Sequence, residues 1–197
     1  MVGLTVGKTN VTVLLKQKLR QLGKGSIALF EVPAQNHEEF SAESLRILIT
    51  ELGFECVYLS FSRPCSDLAK MLKTRGLDID KIHFIDTISQ MFGVKQASTY
   101  KCAHTKGPMD IDPIHGLMED IFRKYSGERK CLFLDSVTSL LHYNSFPKTI
   151  IFMKQTAQTL KRMGIQGILV STAKGGDTTD RLVKELGVLC DEIVTIA

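Results

Sequence analysis

No apolar stretch in this 197-residue chain approaches the roughly 20 residues needed to cross a bilayer. The opening Met1-Val-Gly-Leu-Thr-Val-Gly-Lys8 lacks the basic start, apolar middle and small-residue cleavage pattern of a secretory signal. The five cysteines, an odd number, contain no C-x-x-C pair, and their scattered placement suggests neither a zinc ribbon nor a disulfide framework. Cys56 and Cys131 lie inside apolar runs and read as small core hydrophobes. Cys65, Cys102 and Cys190 stand near the ends of elements. The expectation is a reduced, cytoplasmic compartment and no membrane contact. A strong charge of one sign is also missing. The net charge of +4 permits contact with nucleic acid without arguing for it. Internal repeats and low-complexity linkers are absent, so residues 1–197 are expected to form one domain with a sizeable core.

Strand-like and helix-like segments alternate along the chain. Short apolar runs at Ser26–Val32, Glu55–Phe61, Ile82–Asp86, Lys130–Asp135, Gln166–Ser171 and Glu192–Ile196 suit strands buried on both faces. Helical periodicity marks Val11–Leu22, Phe40–Leu52, Asp67–Arg75, Ile114–Tyr125, Pro147–Arg162 and Thr179–Leu186. Residues 1–25 read as a helix and lead-in, and 93–116 as an irregular insertion. Such alternation implies βαβ units. The fold class is α/β, a three-layer sandwich with a mainly parallel central sheet and helices on both faces.

Three places hold residues that carry chemistry. Asp135 stands at the carboxyl end of a buried run, the rim where open α/β sheets bind ligands. It is read either as a magnesium-holding aspartate of a nucleotide hydrolase or as a cap of the next segment. Lys16, Lys18 and Arg20 give the first helix a basic face, which is either a nucleic-acid patch or a solvated surface. Cys102, His104, Asp110, Asp112 and His115 crowd the irregular stretch, but their spacing matches no compact ligand motif, so no metal is expected.

The order of these signals resembles the RecA superfamily, in its KaiC-like branch of P-loop ATPases. Leu22-Gly-Lys-Gly-Ser-Ile-Ala-Leu29 looks like that family's lead into its first strand, and Val57-Tyr-Leu-Ser60 like the end of its second. Leu77-Asp-Ile-Asp-Lys-Ile82 resembles its approach to the third. Phe133-Leu-Asp-Ser-Val-Thr-Ser-Leu-Leu141 resembles the Walker B phrase of small archaeal KaiC-like proteins, with Asp135 and Ser136 in its aspartate–serine positions. Leu189–Ile196 is similar to the family's final strand. The likeness spans roughly residues 19–196 and rests on pattern and order.

The resemblance also implies a phosphate loop, G-x-x-x-x-G-K-[ST], where Val32–Glu39 stands. Glycines there let backbone N–H groups surround phosphate, the lysine pairs with the β- and γ-phosphates, and the hydroxyl reaches magnesium. Val32 and His37 occupy the glycine positions, Glu38 the lysine position and Glu39 the hydroxyl position. Two unit charges about 4 Å apart near a surface interact by roughly 4 kcal/mol. Exchanging lysine for Glu38 therefore turns attraction for phosphate into repulsion. The pull of a helix amino end on an anion, typically about 0.3–1 kcal/mol, does not offset that. The family's glutamate after strand two is also missing, because Ser60-Phe-Ser-Arg63 stands there. Arg63 and Lys174 are the cations left for residual anion contacts.

These readings imply a pseudo-ATPase, a KaiC-like fold with a degenerate Walker A motif that has lost hydrolysis. It would serve as a regulatory or scaffolding subunit bound to a protein partner or to its own copies. No catalytic residue, metal or cofactor is expected, with ATP and magnesium at most a weak ligand that is not cleaved. The alternatives are an ATPase with an unconventional phosphate loop and a recombinase-like nucleic-acid binder.

Overall fold

Seven strands form one parallel sheet in the computed structural model, which describes residues 8–93, 101–172 and 177–196. They are β1 (Ile27–Glu31), β2 (Glu55–Ser60), β3 (Ile82–Asp86), β4 (Cys102–His104), β5 (Lys130–Asp135), β6 (Gln166–Ser171) and β7 (Glu192–Thr195). Their order across the sheet is β4-β3-β2-β5-β6-β1-β7, and each neighbouring pair is parallel. The inner strands are apolar along their middles because both of their faces are covered. Cys131, Leu132, Phe133 and Leu134 of β5 are all inaccessible to solvent.

Alternation of side chains divides these strands between two cores. Phe30, Tyr58, Phe84, Phe133 and Val170 point to one face and pack with Leu15, Leu45 and Leu68. Those residues come from α1 (Lys8–Gln21), α2 (His37–Arg46) and α3 (Cys65–Thr74). Leu29, Leu59, Leu134 and Leu169 point to the other face and meet Met118, Phe152 and Leu182. These belong to α4 (Ile114–Lys124), α6 (Phe146–Met163) and α7 (Asp177–Gly187). The expected three-layer α/β sandwich is therefore present. Gly164 ends α6 with φ of 66°, a left-handed turn that glycine adopts without a Cβ clash. No helix among the described residues is long and apolar enough to cross a membrane.

Two elements were not expected. Cys102–His104 extends the sheet as β4 within the stretch read as irregular, and three residues are too few for any periodicity to register. A short helix, α5 (Val137–Tyr143), follows β5. Ser136 caps it by accepting the N–H of Ser139 at 3.1 Å, so the cap is Ser136 rather than Asp135. The second helix also begins earlier than expected, at His37, and ends in a π-helical turn over Ile47–Glu51.

The basic face of α1 is spent within the chain. Lys16 pairs with Glu51, Lys18 pairs with Glu192, and Arg20 lies 3.6 Å from Glu51. At the opposite, carboxyl rim of the sheet, strand register lines up a polar row. Asp135 is level with Ser60, Ser60 with Asp86, and Asp86 with His104. This row runs from the centre of the sheet to its β4 edge and sets the position of everything that follows.

Candidate functional site

Asp135 is buried, 2% exposed, at the carboxyl end of β5. A carboxylate withdrawn from water needs donors around it. It has them on both oxygens, because His37 Nε2 contacts Oδ1 and the Tyr58 hydroxyl donates to Oδ2. Since a carboxylate oxygen accepts, Nε2 is the protonated nitrogen of His37 in this contact. Tyr58 is paired in register with Phe133 on β5, so its ring reaches one pleat further along to Asp135. Burial, and then the adjacent Asp135 charge, hold the Tyr58 phenol well above its ordinary pKa, so it stays a donor. Tyr58 also stacks on Phe133, with ring centroids 5.3 Å apart.

His37 reaches Asp135 because of how the chain leaves β1. Val32 prolongs the strand, donating its N–H to the Ser171 carbonyl at 2.8 Å, and its side chain is buried in the core. Ala34–Asn36 then form one turn of 3-10 helix, with the Asn36 N–H on the Pro33 carbonyl at 2.9 Å. That turn runs directly into α2. The connection is thus a tight helical turn, and its first α-helical side chain, His37, meets Asp135.

Glu38, one residue on, turns outward between two arginines. Arg63 Nη1 donates to Oε2 at 2.9 Å and Arg75 Nη2 to Oε1 at 2.8 Å. Hydrogen bonds from Arg63 first and Arg75 second lower the Glu38 pKa. Arg63 is aimed by its own turn, where the Ser60 hydroxyl donates to the Arg63 carbonyl at 2.8 Å and accepts its N–H at 3.1 Å. The expected repulsion from Glu38 is therefore incomplete. One carboxylate and two guanidiniums together carry a net positive charge. Glu39 is exposed and lines a groove of about 340 Å³ with Glu43, Arg46 and Arg75. Asp135 and Tyr58 do not line that groove, so it lies apart from the buried carboxylate.

The structure brings Asp135 and His37 into contact and sets Arg63 against Glu38. Ser136 serves as a helix cap, and Lys174 lies outside the described residues. Tyr58 and Arg75 were missed from the sequence. A tyrosine in a buried strand needs a hydrogen-bond partner for its hydroxyl, which was the available signal for Tyr58. Arg75 gave no local signal.

The residues of the irregular stretch separate. His115 Nε2 bonds the Thr156 hydroxyl at 3.0 Å, its ring lies 4.7 Å from that of Phe152, and it is half-buried against α6. Asp112 is exposed, whereas Cys102 and His104 lie on β4 near Cys65.

The family model for the KaiC ATPase matches residues 15–190. Among solved structures, a KaiC-like protein of the hyperthermophilic archaeon Pyrococcus horikoshii superposes with a TM-score of 0.62 at 16% identity. The match covers 87% of this chain and 72% of that one. A second Pyrococcus horikoshii protein, uncharacterized and crystallised in complex with an unknown peptide, gives a TM-score of 0.68 at 15% identity. It covers 93% of this chain and 82% of its own. At these identities the likeness is one of fold. No curated protein matches the sequence.

Proposed function

The chain belongs to the KaiC ATPase family, and we propose that it is a member that has lost ATP hydrolysis and works as a regulatory or scaffolding subunit. The observation that carries this reading is the closure of Asp135 by His37 and Tyr58. A Walker B aspartate acts on magnesium or its water shell through free carboxylate oxygens. Here both oxygens already accept protein hydrogen bonds. The turn over Val32–Glu39 supports the same reading. It lacks the glycines that would let its N–H groups surround phosphate, and it carries Glu38 in place of the phosphate-binding lysine. Ser60–Arg63 supplies no carboxylate to activate a water.

A protein partner, or another copy of this chain, is the ligand class this reading assigns. The fold neighbour that holds a peptide gives a precedent for peptide capture on this scaffold. The nucleic-acid reading draws little support, since Lys16, Lys18 and Arg20 already face acidic residues of the chain.

A second reading rests on Arg63 and Arg75. Two guanidiniums converging on one carboxylate hold a geometry that also suits a phosphate group. In that reading, a nucleotide displaces Glu38 and binds without a conventional phosphate loop. Calorimetric titration with magnesium-ATP and magnesium-GTP separates the two. The proposed function predicts no saturable heat at micromolar nucleotide. Micromolar affinity that is lost in Arg63→Ala overturns it in favour of the second reading.

A further inference from the structure

Cys65, Cys102 and His104 converge at the β4 edge of the sheet, away from Asp135. One ligand atom from each lies within 4.8 Å of the others. Cys65 opens α3, while Cys102 and His104 alternate on β4 and so share a face. The strand between them and the sheet centre ends in Asp86. Its carboxylate accepts the Cys65 N–H at 2.6 Å, the Ser89 hydroxyl at 2.6 Å, and the N–H groups of Ile88 and Ser89 at 2.8 and 2.9 Å. Asp86 therefore fastens the start of α3, and with it Cys65, to the rim of the sheet.

An independent observation points to a missing ligand. The His104 side chain is only 10% exposed, and its Nδ1 has no hydrogen-bond partner among the described residues. Asp86 Oδ2, the nearest carboxylate oxygen paired with it, is 3.9 Å away and already occupied by stronger donors. A buried polar atom left unpaired is unfavourable, and native structures generally give such a group a partner or an ion.

We propose that Cys65, Cys102 and His104 form a zinc(II) site. Two thiolates and one imidazole are a donor set that zinc accepts, with Zn–S near 2.3 Å and Zn–N near 2.0–2.1 Å. A tetrahedral ion at those lengths spaces its donors by roughly 3.3–3.8 Å, which the observed cluster reaches through small side-chain rotations. On binding, each thiol gives its proton to solvent and its sulfur lone pair to the ion. Two protons leave, and the two thiolate charges balance the cation, which suits a largely buried place. Asp86 supports the site by accepting the Cys65 N–H and so fixing the start of α3. The fourth position is left for water or a donor from outside the cluster.

Three strand spacings of about 4.8 Å separate β4 from β5, so the zinc site lies roughly 14 Å from Asp135. It is independent of the nucleotide question. Its evident consequence is mechanical, because the ion ties the three-residue edge strand β4 to the first turn of α3. Asp110, Asp112 and His115, which share its stretch of sequence, take no part.

Cobalt(II) titration of the reduced full-length protein tests the site. The expected result is one equivalent bound per chain, with thiolate-to-cobalt charge-transfer absorbance that zinc abolishes. Cys102→Ser should halve that absorbance, His104→Ala should weaken binding by about tenfold or more, and Cys190→Ser should change neither. Absence of stoichiometric binding at micromolar cobalt overturns the proposal. So does absorbance that persists in full when Cys65 and Cys102 are both serine. Alkylation of the wild-type protein avoids reliance on variants that fold poorly. Zinc should slow modification of Cys102 and leave Cys190 unaffected, whereas equal rates with and without zinc contradict the site.

Discussion

His37 and Asp135 are in hydrogen-bond contact across the strand that separates β1 from β5. The contact joins the first turn of α2 to the carboxyl end of a central strand, 98 residues away in sequence. In the proposed reading, that space is the one a phosphate loop and magnesium would share. Here an imidazole fills it, and a buried phenol holds the other oxygen of the same carboxylate.

Removal of the phenol tests how much the closure contributes to stability. Tyr58→Phe keeps the ring packing but leaves a buried carboxylate short of one donor. The expected loss is about 1–3 kcal/mol in urea unfolding at constant m-value. His37→Ala should couple to it, and a double-mutant cycle should return an interaction energy of at least about 0.5 kcal/mol. Strict additivity would mean that the two contacts are independent.

Glu38→Ala releases Arg63 and Arg75 from their shared carboxylate. These pairs are partly exposed, so stability should change by less than about 1 kcal/mol. The freed guanidiniums should bind inorganic pyrophosphate more tightly than the wild type does. That gain should fade as the Debye length shortens to about 8 Å at physiological salt. A gain in affinity unaffected by salt would point to some other origin.

His115 gives the protein a pH-sensitive, half-buried contact between α4 and α6. Burial lowers its pKa below the ordinary value of 6.5, against the opposing pull of the Phe152 backbone and of Glu119 and Asp112. A depressed folded value means that the unfolded chain takes up the proton first. The stabilising contribution is therefore complete above pH 6.5 and is lost as pH falls towards and through the folded value. The melting temperature should drop over that window, and His115→Gln should show a shallower slope between pH 7 and pH 5. Identical slopes would remove His115 from the account.

Charge reversal on α1 separates a nucleic-acid face from an internal ion-pair face. Lys16→Glu and Lys18→Glu place like charges against Glu51 and Glu192. Each should cost up to about 1 kcal/mol in chemical denaturation. Neither should alter retention on DNA, which is expected to be absent even at low salt. Salt-dependent binding that these changes abolish would restore the nucleic-acid reading.

The order of elements was legible because the central strands are buried on both sides and therefore uninterruptedly apolar. Cys131–Leu134 is the clearest case. The three residues of β4 carry no period and were invisible, as was α5, whose opening Val137-Thr-Ser looks no more helical than extended. Asp135 stood out as an aspartate ending an apolar run, but its surroundings did not. His37 and Tyr58 reach it through register and through the tight turn after Pro33, and neither is a local property of sequence. Glu38 shows the same limit from the other side. Its charge was plain, yet its partners Arg63 and Arg75 lie 25 and 37 residues further on. The approach of Cys65 to Cys102 was equally hidden, because it exists only once β4 has joined the sheet.

Phosphate release from magnesium-ATP, measured side by side for the wild type and Asp135→Ala, decides whether Asp135 is a catalyst. Neither protein should release phosphate above the uncatalysed background. Saturable turnover by the wild type that disappears in Asp135→Ala would contradict that expectation, and would return Asp135 to the role of a working magnesium ligand.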